Sequence, residues 1–289
     1  MASLFKTELG KKEILSLYDK KLEELNIKYE YIKVDTSYGT TNIIATGTYT
    51  NPPILLIHGS NGCAPIALET YAGLDTKFRV YAIDVLAQPN KSSETRLSMK
   101  DNSYGKWMNE IITSLKVENV MMAGFSFGGL VILKTLEYDE NKIKEVFLSA
   151  PAYIVNGNPF KALSKVFIPM NRFMKTKKPI YVEKFLAEVF TERNAFAIKY
   201  LSKVFLHFKM DFAPIPVINK THANSIKTPI TLFAAKNDIL FPGIKMIKRA
   251  SKIFPSLKES YLLEHSKHVQ NKEQNKLIEN IIMKTQNND

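Results

Sequence analysis

Short apolar runs punctuate the chain at 53–57 (P-I-L-L-I) and 120–123 (V-M-M-A), as expected of strands buried on both faces. Residues 78–84, 143–148, 229–236 and 257–263 read as further strands. Other stretches repeat their apolar residues every three to four positions, the helical period. In 8–25, Leu9, Ile14, Leu15, Leu17, Tyr18, Leu22 and Leu25 fall on or near one face. Helices are also expected at 101–115 (with the single Trp107), 130–138 and 271–284. Residues 28–34 alternate and 41–46 are rich in β-branched side chains, which predicts an antiparallel pair joined at Tyr38-Gly39. From 152 to about 228 strand signals stop, and aromatic and basic residues interleave at helical spacing.

The run 120–123 leads into Gly124-Phe125-Ser126-Phe127-Gly128, a match to G-x-S-x-G with helical periodicity directly after it. A strand-to-helix turn this tight leaves no room for side chains two residues either side of the serine, and glycine at 124 and 128 meets that demand. The hydroxyl then stands above the strand end, with a helix behind it aiming free N–H groups at developing negative charge. At these residues the chain resembles the α/β-hydrolase superfamily. The resemblance implies an α/β fold, a mostly parallel central sheet flanked by helices, with an inserted helical cap. The expected core is 1–151 and 229–289, including the N-terminal helix 8–25, and the expected cap is 152–228.

A second mark of the superfamily is His58-Gly59, placed directly after the strand 53–57. In proteins the chain resembles, the residue after His-Gly gives a backbone N–H to the oxyanion hole. That residue is Ser60 here, and the second N–H is that of Phe127. His58 itself reads as a loop-stabilising residue. Two features depart from subgroups of the family. The His-Gly-Gly-Gly version found in some lipases is absent, and the loop after Asp84 lacks the glycines of Asp-x-x-Gly-x-Gly-x-Ser.

Ser126, Asp238 and His268 occur in the superfamily order Ser, Asp/Glu, His, each just past the end of an expected strand. Strand ends of an open parallel sheet share one edge, so residues remote in sequence can meet there. The chemistry needs all three: the imidazole takes the serine proton, and the carboxylate orients the imidazole and stabilises its cation. Both His265 and His268 follow the last strand. Ser266-Lys267-His268 fits the family pattern of a small residue near the histidine better, so His268 is the expected base. Asp238, followed by Pro242, fits the strand-end acid, whereas Ser149-Ala150-Pro151 offers no carboxylate in the alternative slot.

The chain has 289 residues, long enough for one large α/β domain with an insertion. No apolar run reaches eighteen residues, so no membrane-spanning helix and no stable membrane insertion are expected. The first residues lack the apolar core of a signal peptide, and Cys63 is the single cysteine; both favour a cytoplasmic protein. The net charge is +12, yet no zinc-finger spacing, RNA-binding aromatic motif or dense arginine cluster accompanies it, so no nucleic-acid partner is expected. Residues 161–209 hold eleven Lys or Arg against three Glu, a surplus of +8. The bland account of this surplus is a solvated face; attraction of acidic substrates or anionic lipid is the alternative. No His-Glu-x-x-His or paired-cysteine pattern occurs, and no metal or cofactor is expected.

The resemblance therefore implies a serine hydrolase acting on a small-molecule ester with an apolar acyl part. The same triad serves C–C hydrolases, peptidases and perhydrolases, and the fold also serves ligand-binding proteins without activity. A serine at the elbow argues against haloalkane dehalogenation, which needs a carboxylate nucleophile.

Overall fold

The apolar runs at 53–57 and 120–123 lie at the centre of one eight-stranded sheet. A computed structural model describes residues 3–285. Met1 and Ala2, at the start of the segment read as lacking a leader, and residues 286–289, at the end of the expected core, lie outside the described residues. The strands are β1 (Tyr29–Thr36), β2 (Gly39–Thr46), β3 (Pro53–Ile57), β4 (Arg79–Ile83), β5 (Val120–Phe125), β6 (Ile143–Ser149), β7 (Ile230–Ala235) and β8 (Leu257–Leu263). Their order across the sheet is β1-β2-β4-β3-β5-β6-β7-β8. The pairs β1/β2 and β2/β4 are antiparallel, and every later pair is parallel.

The helices are α1 (Glu8–Glu24), α2 (Ala64–Thr70), α3 (Ser103–Leu115), α4 (Phe127–Tyr138), α5 (Pro159–Ala162), α6 (Ile168–Thr176), α7 (Pro179–Val189), α8 (Ala195–His207), α9 (Lys220–Ser225), α10 (Gly243–Ile253) and α11 (Lys272–Lys284). A π-helical turn, Leu163–Phe167, joins α5 to α6 into one helical stretch. The sequence reading assigned no helix at α2 or α10. In α10 the buried Met246, Ala250 and Ile253 stand four and three positions apart, so the signal was present.

Side chains alternate across a strand, and here the alternation feeds two layers. Leu55 and Ile57 of β3 enter the layer that holds Trp107 and Ile111 of α3 and Leu130 and Leu133 of α4. Ile54 and Leu56 enter the opposite layer, with Ile14 and Leu22 of α1, Leu68 of α2 and Ile278 and Ile282 of α11. Every residue of β4 and β7 is buried, which is why those runs carry no polar alternation.

Between β6 and β7 the described residues form helices α5–α9 and no strand of the sheet. The middle part of this segment packs in the second layer through Val166, Met170, Phe173, Val182, Tyr200 and Phe205, whereas its ends enter the first through Tyr153, Ile154, Ile218 and Ala223. The N-terminal segment reaches it directly. Phe5 bridges Phe208, and Glu13 bonds Lys203 of α8 at 2.9 Å.

Candidate active site

The site begins with the backbone at the end of β5. Ser126 has φ 53° and ψ −113°, a conformation rare for a residue with a side chain. Its neighbours hold it there: the Ser126 N–H donates to Ser149 O at 3.0 Å, and Ser126 O accepts from Gly129 and Ala152 N–H at 2.9 Å each. A Cβ on Gly124 would lie 2.8 Å from the Gly128 backbone, and one on Gly128 would lie 2.2 Å from Ile57 O. Both glycines are therefore required by close backbone approach. Helix α4 starts at Phe127, the residue after the serine, so the Phe127 N–H has no intrahelical acceptor.

Ser126 Oγ lies 2.9 Å from His268 Nε2, and His268 Nδ1 lies 2.7 Å from Asp238 Oδ2. The other Asp238 oxygen accepts the N–H groups of Leu240 (2.7 Å) and Phe241 (3.0 Å). The carboxylate is thus held by its own loop, with one oxygen left for the histidine. Two rings, Phe125 at 5.0 Å and Phe241 at 5.4 Å between centroids, pack on the imidazole and restrict its rotation. All three polar side chains are buried. His265, the competing histidine, is exposed on the same loop.

Residues that sequence reading did not single out fix the histidine loop. Thr191 Oγ1 accepts Lys267 N–H at 3.0 Å and donates to Val269 O at 2.7 Å, so it grips the residues either side of His268. Backbone bonds from Val269 N–H to Val189 O (2.8 Å) and from Thr191 N–H to Val269 O (3.0 Å) make a short parallel bridge between the helical segment and this loop. Buried Gln270 donates to His268 O at 3.0 Å and accepts from Ser149 Oγ at 3.0 Å, tying the loop to the end of β6. Apart from the local Gln270–His268 bond, these contacts span 76 or more residues in the chain, and no local pattern marks them.

His58 lies beneath the loop that carries Ser60. Its Nδ1 is 2.8 Å from Gly59 O, and its Nε2 accepts Val85 N–H at 3.0 Å. Burial pushes its imidazole down to about 4, so the ring is neutral near pH 7 and braces the loop. Asp84, at the end of β4, accepts from Ala64 N–H (2.7 Å), Asn42 Nδ2 (2.9 Å) and Tyr18 Oη (2.9 Å). Burial raises its carboxyl to about 6 against the pull of these donors. Neither group bonds a triad side chain; both hold the strand ends and loops around it.

Ser126 and His268 open into a cavity of about 1080 Å³, whose lining also includes Ser60 and Phe127. The helical segment supplies Phe167, Met170, Phe185, Phe190, Phe205 and Phe212 to its walls.

The architecture has known relatives. The model of the α/β hydrolase fold matches residues 52–199, and the chain belongs to the α/β-hydrolase fold family. A relative from Bacillus subtilis (strain 168), an uncharacterized carboxylesterase, nap, is 23% identical over 282 residues, which are 92% of this chain and 90% of the relative. Carboxylesterase YbfK of the same organism is 30% identical over 135 residues, 47% of this chain and 46% of that protein. The crystal structure of naproxen esterase (carboxylesterase NP) from Bacillus subtilis superposes with a TM-score of 0.83 at 22% identity. The match covers 96% of this chain and 99% of that one.

Proposed function

We propose that the protein is a serine hydrolase that cleaves carboxylic esters through an acyl-enzyme intermediate, with 152–228 acting as a helical cap over the site. The carrying observation is the bonded chain Ser126–His268–Asp238 at the floor of an aromatic-walled cavity. The similarity to carboxylesterases along nearly the whole chain supports the choice of bond.

In this reading Ser126 Oγ attacks the ester carbonyl carbon while His268 Nε2 takes its proton. The carbonyl oxygen becomes an anion and accepts the N–H groups of Ser60 and Phe127. Such donors act on the transition state because the charge exists only there. The imidazolium, stabilised by Asp238, then gives its proton to the departing alkoxide, and the alcohol leaves. A water molecule next loses a proton to His268 and attacks the acyl carbon. Collapse releases the carboxylic acid and restores the Ser126 hydroxyl. The strained serine backbone and the two rings against His268 pre-organise these atoms before substrate arrives.

Intact mass after exposure to a fluorophosphonate, beside Ser126→Ala, tests the nucleophile without a guess at substrate. One adduct on the wild type and none on the variant is expected. A panel of p-nitrophenyl esters of increasing acyl length then tests the bond. No adduct on either protein sinks the nucleophile assignment, and an adduct without ester turnover sinks the choice of ester.

A further inference from the structure

Helices α5 and α6 carry a surface that the hydrolytic reading does not use. No acidic residue occurs between Glu145 and Glu183, while this interval contains Lys161, Lys165, Arg172, Lys175, Lys177 and Lys178, all exposed. Only Lys165 among these six forms an ion pair among the described residues, with Glu188 at 2.9 Å. The inner side of the helical stretch is apolar and buried, through Val166, Met170 and Phe173. Its outer side is apolar as well: Phe160 is 78% exposed, Leu163 51%, Ile168 41% and Phe167 39%. The three exposed phenylalanines among the described residues, Phe160, Phe167 and Phe212, all lie here, and Phe212 packs edge-on to Phe167 at 6.1 Å.

A merely solvated basic face accounts for the lysines but not for this exposed apolar surface among them. Exposed Phe, Leu and Ile interleaved with unpaired cations are what a helix needs to lie in the headgroup layer of an anionic bilayer. Apolar side chains enter the acyl boundary, and lysine stems reach back to the phosphates. A second copy of this chain is a poor occupant, because a symmetric contact would bring the unpaired cations of both copies together.

We propose that α5, the π-helical turn and α6 form a docking surface for an anionic lipid bilayer. The surface abuts the mouth of the cavity, since Phe167 and Phe212 are exposed and also line the cavity that holds Ser126. Docking therefore presents the site to esters dissolved in the membrane, which pass between these rings without crossing bulk water. That substrate class rests on the esterase reading; the docking does not.

Sedimentation with vesicles of phosphatidylcholine, with or without phosphatidylglycerol, tests the surface. The wild type is expected to pellet with the anionic vesicles, at least tenfold less with the neutral ones, and to be released by 0.5 M salt. Phe160→Ser with Leu163→Ser, and separately Lys161→Gln with Arg172→Gln and Lys175→Gln, should each weaken binding about tenfold or more. None of these five residues lines the cavity, so hydrolysis of a water-soluble ester should stay within about twofold of wild type and report intact folding. Ser126→Ala should bind vesicles like the wild type, which separates failure of docking from failure of the esterase reading. No pelleting with anionic vesicles, or binding that ignores either set of substitutions, overturns the proposal. So does a wild-type dimer that Phe160→Ser with Leu163→Ser splits into monomers while vesicles bind neither.

Discussion

The strand-end edge of the sheet and helices α5–α8 of the proposed cap meet at one cavity but are held together differently. At the strand ends the triad side chains and those that brace them are buried and bonded: Ser126, Asp238, His268 and Gln270, with His58 and Asp84 beneath. Each is a strand-end or loop residue whose neighbours come from other strands, so a change at one is felt by several. The outer side of the cap is the reverse. Its cations face solvent, and its aromatic side chains Phe160 and Phe212 are more than half exposed. In the proposed mechanism the chemistry rests on the strand ends, whereas the solvent-facing side of the cap is free to differ where it neither enters the core nor lines the cavity.

The largest break in that comparison is Ser126→Ala. Ester hydrolysis should fall roughly 10⁴- to 10⁶-fold while circular dichroism and the melting temperature stay near wild type. The bonds that hold the turn are backbone bonds, which alanine keeps. A surviving rate within a hundredfold would move the nucleophile elsewhere.

Next in size are two opposed contributions from the buried pair beneath the strand ends. Asp84 is raised from 3.8 to about 6, so the folded state binds its proton more tightly and stability falls as pH rises from about 4 to about 6. His58 is lowered from 6.5 to about 4, so the unfolded state binds its proton more tightly and stability rises as pH climbs from about 4 to about 6.5. Each is worth about 3 kcal/mol at about 1.4 kcal/mol per unit, and they nearly cancel. Denaturant unfolding from pH 4 to 7 should therefore show a shallow profile from this pair in the wild type. Asp84→Asn should steepen it, with stability climbing toward pH 6.5 by about 3 kcal/mol more than in wild type. Equal slopes for both proteins would remove Asp84 from the account.

Much of the sheet was legible because burial on both faces leaves its mark locally. The buried strand at 53–57 has the bounds expected for it, and the three residues expected at one edge do lie within hydrogen-bond reach there. Strand order and the second layer were not legible, since they depend on which element covers which. Thr191 shows the limit most clearly. Its sequence surroundings, Phe190-Thr191-Glu192, say nothing of a partner 78 residues away at Val269. The cap's helices were legible as helices, but the side each buries was not, because aromatic residues point both ways: Phe173 is buried and Phe160 exposed.

Thr191 is also where the two regions are joined, and it sharpens the contrast. Thr191→Val removes both side-chain bonds around His268 while keeping shape, a loss of about 1–2 kcal/mol. The value of kcat should drop roughly 5- to 30-fold with KM little changed, and fluorophosphonate labelling should slow in step. Thr191→Ser should restore both. Loss of stability with unchanged kcat would make the residue structural only.

The smallest effect belongs to the cap's outer charges. Arg172→Gln with Lys175→Gln removes two exposed cations that form no ion pair among the described residues. Surface substitutions of this kind stay within about 0.5 kcal/mol, and glutamine keeps the helical propensity of the residues it replaces. Unfolding free energy and turnover of a water-soluble ester should both match wild type, while binding to anionic vesicles falls. A drop in stability above about 1 kcal/mol would mean that these side chains hold the cap in place. The sharp division between a sheet that fixes the chemistry and a cap surface free to meet a partner would then fail.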